Sequence, residues 1–420
     1  MLRHYLTLAV KVLLRRKFFT FISLFGISFT LLVLMVATAM LDHTFAPMPP
    51  ETRQDRTLNV VRAAMYGPSD TSVSSAGFEL FDRYARDLPG VERLSIYSSV
   101  GVVHSYIKGE KIESSLKRTD GEFWQILDFS FIEGGPYSTE DVDQARFVAV
   151  INETTRRKFF GTQPAVGKSL EADRQRFRVI GVVEDVSRLR SVPFADIWVP
   201  YTTLQSDGYK RGLLGNFNAM ALATDRSALP QIRDEFRSRL DRVELPDPKE
   251  STTLVAPFET HFESYARDIG GAQKWASEKD PNSQGWKLTL VLSVAAVLFM
   301  LLPTVNLINL NMSRIMERAS EIGVRKAFGA SSQTLVGQFI VENVLLTLVG
   351  GLVGLVLSAL VLRAISESGL IQYATFELNL RVFGYALAFA LLFGLISGVY
   401  PAWRMSRLHP VDALRGGAAR

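Results

Sequence analysis

Residues 18–41 form a run of 24 without a single charged side chain. At 1.5 Å per residue such a helix spans about 36 Å, more than a hydrocarbon core of about 30 Å. A cleavable leader has a shorter apolar stretch and ends in a small-residue site, so the run is expected to be an uncleaved anchor. Three more apolar segments follow near the other end, at 288–310 (with Pro303 inside it), 335–362 and 382–400. Between them lies a more polar stretch, 42–285, long enough to bury a core of its own. The expected fold class is therefore an α-helical membrane protein with four transmembrane helices and a large α+β extracytoplasmic domain between the first and second.

Charge orients the spans. Arg3, Lys11, Arg15, Arg16 and Lys17 precede the first; Arg314, Arg318, Arg325 and Lys326 lie between the second and third; Arg404, Arg407, Arg415 and Arg420 follow the fourth. Only Glu317, Glu321 and Asp412 oppose them in those segments. Basic residues mark the cytoplasmic side, so both termini and the second loop are expected inside and the large domain outside. The net charge of +5 is thus a topology signal and calls for no nucleic acid. With no cysteine, the chain has neither disulfides nor a thiolate nucleophile.

The division expected is an interfacial amphipathic helix (1–17), a first transmembrane helix (18–41), the external domain (42–285) and a second span (286–311). A cytoplasmic loop (312–334), a third span (335–363), a short external loop (364–381), a fourth span (382–401) and a cytoplasmic tail (402–420) complete it. In the first helix Leu2, Tyr5, Leu6, Ala9, Val12 and Leu13 share a face, as in a helix lying on membrane lipid. Gly350, Gly354 and Ser358 recur every four residues in the third span, and Gly394 and Gly398 do so in the fourth. Such small residues let helix backbones approach closely. Glu342 and Asn343 are expected near the cytoplasmic interface, hydrated.

The loop 317–330 reads E-R-A-S-E-I-G-V-R-K-A-F-G-A: a short charged helix ended by Gly329, with Ser331 and Ser332 placed to cap the next one. Glu317, Arg318, Glu321, Arg325 and Lys326 would fix its orientation while Ile322, Val324 and Phe328 enter a pocket. Gly323, Ala327, Gly329 and Ala330 complete the pattern. This segment resembles the coupling helix of the MacB/FtsX family of ABC permeases, E-x-x-x-E-I-G-[IV]-R-[KR]-A-[LF]-G-A. The tail from Pro401 to Arg415 is similar to the family's closing motif, with Met405 in place of an alanine. Thr119-Asp-Gly-Glu-Phe-Trp124, Gly134-Gly135, Val148–Asn152 and Phe177–Val186 resemble its periplasmic core domain.

The resemblance implies a non-catalytic permease subunit of the bacterial inner membrane. Cytoplasmic ABC ATPase subunits would be its partners, carrying ATP and Mg, with no cofactor on this chain. A second permease copy or paralogue, a periplasmic adaptor and an outer-membrane channel are further expected partners. The implied work is mechanotransmission for efflux of a drug, peptide or toxin. The alternatives are lipoprotein extraction, control of a cell-wall hydrolase, or a receptor that works without an ATPase.

Other motifs lead nowhere. Gly161 to Ser169 has five residues between its glycines where a phosphate loop has four, and reads as a turn. Ser114-x-x-Lys117 lacks the companion K-T-G of penicillin-binding enzymes. The histidines (4, 43, 104, 261 and 409) are scattered without metal-ligand spacing. In the middle region, strands are expected at 93–97, 177–183, 197–199 and 252–255. Helices are expected at 78–88, 227–243 and 258–267, packed on an antiparallel sheet.

Overall fold

The computed structural model describes residues 2–15, 17–68, 71–107, 109–245, 251–269, 283–317, 324 and 332–406. They form two compact units. One comprises residues 1–43, 290–370 and 375–420, the other residues 44–289 and 371–374.

The first unit is helical. Helices α1 (Leu2–Arg15) and α2 (Lys17–Phe45) open the chain. The other long helices, numbered after those of the folded domain below, are α9 (Ser283–Glu317), α10 (Ser332–Ser368) and α11 (Leu380–Ser406). By length and composition α2 and residues Val336–Ser368 are able to cross a membrane, whereas α9 and α11 carry shorter apolar stretches, Gly285–Leu301 and Leu380–Ile396. Along α2, Phe18, Phe21, Phe25 and Phe29 stand exposed. The last three rings lie at 6.3 and 5.7 Å spacings. An exposed apolar ladder of this kind is costly in water and ordinary against lipid.

The second unit is α+β. Its first half runs β1 (Thr57–Val60), β2 (Ala63–Tyr66), β3 (Thr71–Ala76), α3 (Phe78–Tyr84), β4 (Val91–Ser98), β5 (Gly101–Ile107), β6 (Glu110–Thr119), α4 (Glu122–Ile126) and β7 (Phe131–Gly134). Then come α5 (Thr139–Asp143), β8 (Val148–Asn152), α6 (Glu153–Phe160), β9 (Ser169–Ala172), β10 (Gln175–Val183) and β11 (Ile197–Pro200). The unit closes with β12 (Leu214–Gly215), β13 (Phe217–Ala223), α7 (Leu229–Leu240), β14 (Thr253–Val255) and α8 (His261–Ile269).

These strands make two seven-stranded sheets. One runs β1-β13-β3-β2-β14 with β4 also on β13 and β12 on β3; the other runs β5-β6-β11-β8-β10-β7 with β9 on β10. The expected strands and helices are present, but a purely antiparallel sheet is not. The pairs β6–β11 and β8–β10 are parallel. The reason lies in the connections, since α6 and the residues around it carry the chain from β8 back across to start β10 in the same direction.

Three apolar layers alternate with the two sheets. Along β13, Phe217, Ala219, Ala221 and Ala223 enter a core shared with α3 and α7, whereas Met220 and Leu222 face the other sheet. Along β8, Val148 and Val150 meet that middle layer, and Ala149 and Ile151 face the outer one. Strands buried on both faces read as nearly continuous apolar runs, as these two do apart from Asn218 and Asn152.

Glycine is required where β7 meets β10. Gly134 has φ +62°, and a Cβ there would stand 2.0 Å from the Ile180 carbonyl oxygen. A Cβ on Gly181 would stand 2.4 Å from that of Gly135. Elsewhere local capping fixes the helix starts. Asn152 caps α6 by accepting from the Thr155 amide, and Ser138 with Asp141 forms a capping box on α5.

Candidate functional site

The small-residue stripe of α10 lies against α2. A Cβ on Gly350 would sit 2.9 Å from Ile27 Cγ2, and one on Gly354 3.1 Å from both Leu31 Cβ and the Ser28 carbonyl oxygen. The Ser28 hydroxyl donates to the Gly350 carbonyl at 2.8 Å. Ser358, fully buried, donates to the carbonyl of Gly354 one turn earlier at 2.6 Å. A Cβ on Gly394 of α11 would meet Thr347 Oγ1 of α10 at 2.8 Å. Gly398 lies within α11. Ile27, Leu31 and Leu346 form the apolar centre of this contact, with Leu13 of α1 packed on it.

Glu342 and Asn343 are each only 5% exposed, and the Gln338 side-chain amide donates to Glu342 Oε1 at 2.9 Å. The hydrated placement expected for Glu342 is therefore not the one it has. Of the segment 317–330, Glu317 ends α9 and Val324 is helical with its side chain 45% exposed. Arg318, Glu321, Ile322, Gly323, Arg325, Lys326, Ala327, Phe328, Gly329 and Ala330 lie outside the described residues.

In the second unit the T-D-G-E-F-W stretch has a clear physical role. Asp120 accepts from the Ser95 hydroxyl at 2.7 Å and from the amides of Ile96 and Phe123 at 2.6 and 2.9 Å, so it staples β4 to α4. Burial, working against those donors, pushes its carboxyl up to about 6. Trp124 packs on Phe129 and Tyr137 in the middle core, with ring centroids 4.9 and 5.3 Å apart. The turn 161–169 is a turn, as read. Gly167 donates to the Val179 carbonyl and Lys168 Nζ holds Gln163.

Two buried cations were not legible in advance. Arg190, 2% exposed, pairs with Glu51 at 2.9 Å and donates to the Ala46 carbonyl at 2.7 Å. Burial raises the Glu51 carboxyl, but the His261 hydrogen bond and the charges of His261 and Arg190 outweigh it, leaving its pKa below the ordinary value. Lys117, 1% exposed, donates to the carbonyls of Ser191 (2.8 Å) and Val192 and lies 5.4 Å from the Tyr97 ring. Its amine contacts no carboxylate among the described residues, and burial lowers its pKa to about 7. Both cations adjoin a cavity of about 710 Å³ or its supporting loop, at the junction of the two sheets and α8. The described residues contain no group of three His, Asp or Glu able to hold a metal ion.

Long apolar helices in one unit and a two-sheet α+β fold in the other fit a membrane-anchored chain with a folded domain, and comparison with known proteins supplies the class. The family model for the MacB-like periplasmic core domain matches residues 20–239, more than half of the chain, and that for the FtsX-like permease C-terminal matches residues 293–410. The chain belongs to the MacB/FtsX family of ABC transporter permeases, inner-membrane proteins with a periplasmic domain.

Its relatives include the macrolide export ATP-binding/permease protein MacB of Burkholderia cenocepacia (strain HI2424). The two are 31% identical over 295 residues, which cover 70% of this chain and 40% of that protein. The protein of the same description from Escherichia coli (strain K12) is 26% identical over 307 residues, 72% of this chain and 43% of that one. The chain thus spans about two fifths of the length of these relatives. The solved periplasmic region of MacB from Actinobacillus actinomycetemcomitans aligns over 52% of this chain and 94% of its own, at 14% identity and a TM-score of 0.36.

Proposed function

We propose that the chain is the transmembrane subunit of a MacB-like ABC transporter, coupling ATP hydrolysis in a separate ATPase to movement of its periplasmic domain. The observation that carries this is the charged E-x-x-x-E-I-G-V-R-K-A-F-G-A segment at 317–330, inside the stretch matched as FtsX-like permease. With four spans, at 18–41, 286–311, 335–363 and 382–401, both termini and this segment would be cytoplasmic, where an ATPase is accessible. The basic bias of those segments supports the orientation. ATP and Mg belong to the ATPase. A second permease copy or a paralogue completes the membrane pair, and an adaptor and outer-membrane channel would extend the path outward.

The output is export of a drug, peptide or toxin, driven by force sent across the bilayer and not by passage through this chain. The description of the relatives as macrolide exporters supports export as the class of work. Replacing both Glu321 and Arg325 by alanine removes two charges from a small docking surface, worth about 2 kcal/mol or more, roughly a 30-fold weakening. ATPase capture and stimulation by the doubly substituted permease are expected to fall by that order while its membrane level holds. Unchanged capture and stimulation would refute the docking assignment.

A further inference from the structure

The cavity at the junction of the two sheets has a floor and a rim of different character. On the floor are Lys117, Tyr97, Asn59 and Ser114, each at least nine-tenths buried. On the rim stand Glu113, the Arg62–Asp268 pair (2.8 Å) and Arg188, all exposed. Seven serines line the space, Ser75, Ser99 and Ser191 among them. At about 710 Å³ it falls within the range of small-molecule sites, about 300–1,000 Å³, yet its polar lining departs from the mostly apolar walls such sites usually have.

Two polar atoms of lining residues are unspent, both covered in this structure. The Tyr97 hydroxyl and Asn59 Oδ1 are buried without a hydrogen-bond partner, although burying an unpaired polar atom is costly. In the same lining the Lys117 amine has two carbonyls and a ring face, and no carboxylate in contact among the described residues, Glu51 acting on it only from a distance. Two carbonyl acceptors leave one of the three donor positions of the protonated amine open, and an anion bound there would hold the amine in its charged form against the cost of burial. A phenolic donor, an amide acceptor and several hydroxyls around that amine match a ligand that is itself rich in hydroxyl or amide groups.

We infer that this cavity is a binding site for a small carboxylate bearing hydroxyl or amide groups, its carboxylate held by Lys117 and Tyr97 and its polar body by Asn59 and the serines. The site is independent of ATPase docking at 317–330, so either assignment can fail without the other. A sugar acid and an acidic peptide share this chemistry and are separated by the choice of probe.

The full chain in lipid nanodiscs would be titrated calorimetrically with galacturonate, with the dipeptide Ala-Glu and, as the uncharged counterpart, with galactose. At least one acid should bind, galactose at least about tenfold more weakly, since a charge-assisted hydrogen bond is lost. Lys117→Met should weaken the acid about tenfold and Tyr97→Phe about threefold. Tyr97→Phe keeps the ring and its packing, so it remains decisive should Lys117→Met fail to fold. Binding of galacturonate alone assigns a sugar acid, and binding of Ala-Glu alone an acidic peptide. No heat from either acid at millimolar concentration, or an affinity that Tyr97→Phe leaves unchanged, overturns the site.

Discussion

Arg190 and Glu51 show what one buried pair does. The loop ahead of β11 and the chain just after α2 are joined through two side chains that are 2% and 6% exposed. Taking both charges out of water costs much of what their attraction returns, so the pair adds little by being present and a great deal by being broken. Arg190→Met leaves Glu51 buried beside only His261, and a loss of about 3–5 kcal/mol is expected, read as a lowered denaturation midpoint. The same carboxylate sets an acid limit. Its folded pKa lies below the ordinary 4.5, so the stability it contributes is complete above that value and drains away as pH falls through the folded pKa. A melting series should therefore be flat in this respect near neutrality and fall below about pH 4.5. A Glu51→Gln variant should lose that acid slope.

Helix packing belongs to the scale of elements. Gly350 touches Ile27 so closely that an added side chain must push α2 away or bend its own helix. Gly350→Leu is expected to cost about 1–3 kcal/mol, as overpacking does, and to lower the melting temperature in detergent. Gly384→Leu on α11, where a Cβ meets nothing within 4 Å, should have little effect and serves as the control. Much of this element-level picture could be read in the amino-acid order. The four-residue spacing of Gly350, Gly354 and Ser358 is a property of one helix, so it survives without knowledge of the partner. Strands such as β10 and β11 announce themselves by β-rich stretches bounded by turn residues.

Other features were hidden for a physical reason. Asn59, Tyr97, Lys117 and Ser264 come from four distant segments, and each looks like an ordinary strand or helix residue until the sheets meet. Ser114 and Lys117 were even visible as a motif, of a reaction for which the rest is lacking. Glu342 misled in the opposite sense, because its neighbour Gln338 satisfies it one turn away and so permits burial. Parallel pairing likewise leaves no local trace, since it depends on where a connection lands.

At the scale of the whole molecule, the folded body is not one continuous piece of chain. Residues 371–374, between α10 and α11, belong to it. The Arg188 amide donates to the Gln372 carbonyl at 3.0 Å, and the Tyr373 hydroxyl donates to Asp196 at 2.7 Å. Asp196 also receives the Ser115 amide and the Asn152 side chain, so Tyr373 completes a carboxylate on which three segments converge. A soluble fragment of residues 44–289 would lack this patch. It is expected to melt lower than the same fragment with 371–374 joined by a linker, by roughly the 1–3 kcal/mol of two or three lost hydrogen bonds.

Synthesis runs in one direction, and domains generally fold as their residues emerge. Here the closing residues of the body leave the ribosome only after all 37 residues of Ser332–Ser368. The last residues of that body are thus supplied only after the longest helix among the described residues has been made, which ties completion of the body to synthesis of the membrane-side helices.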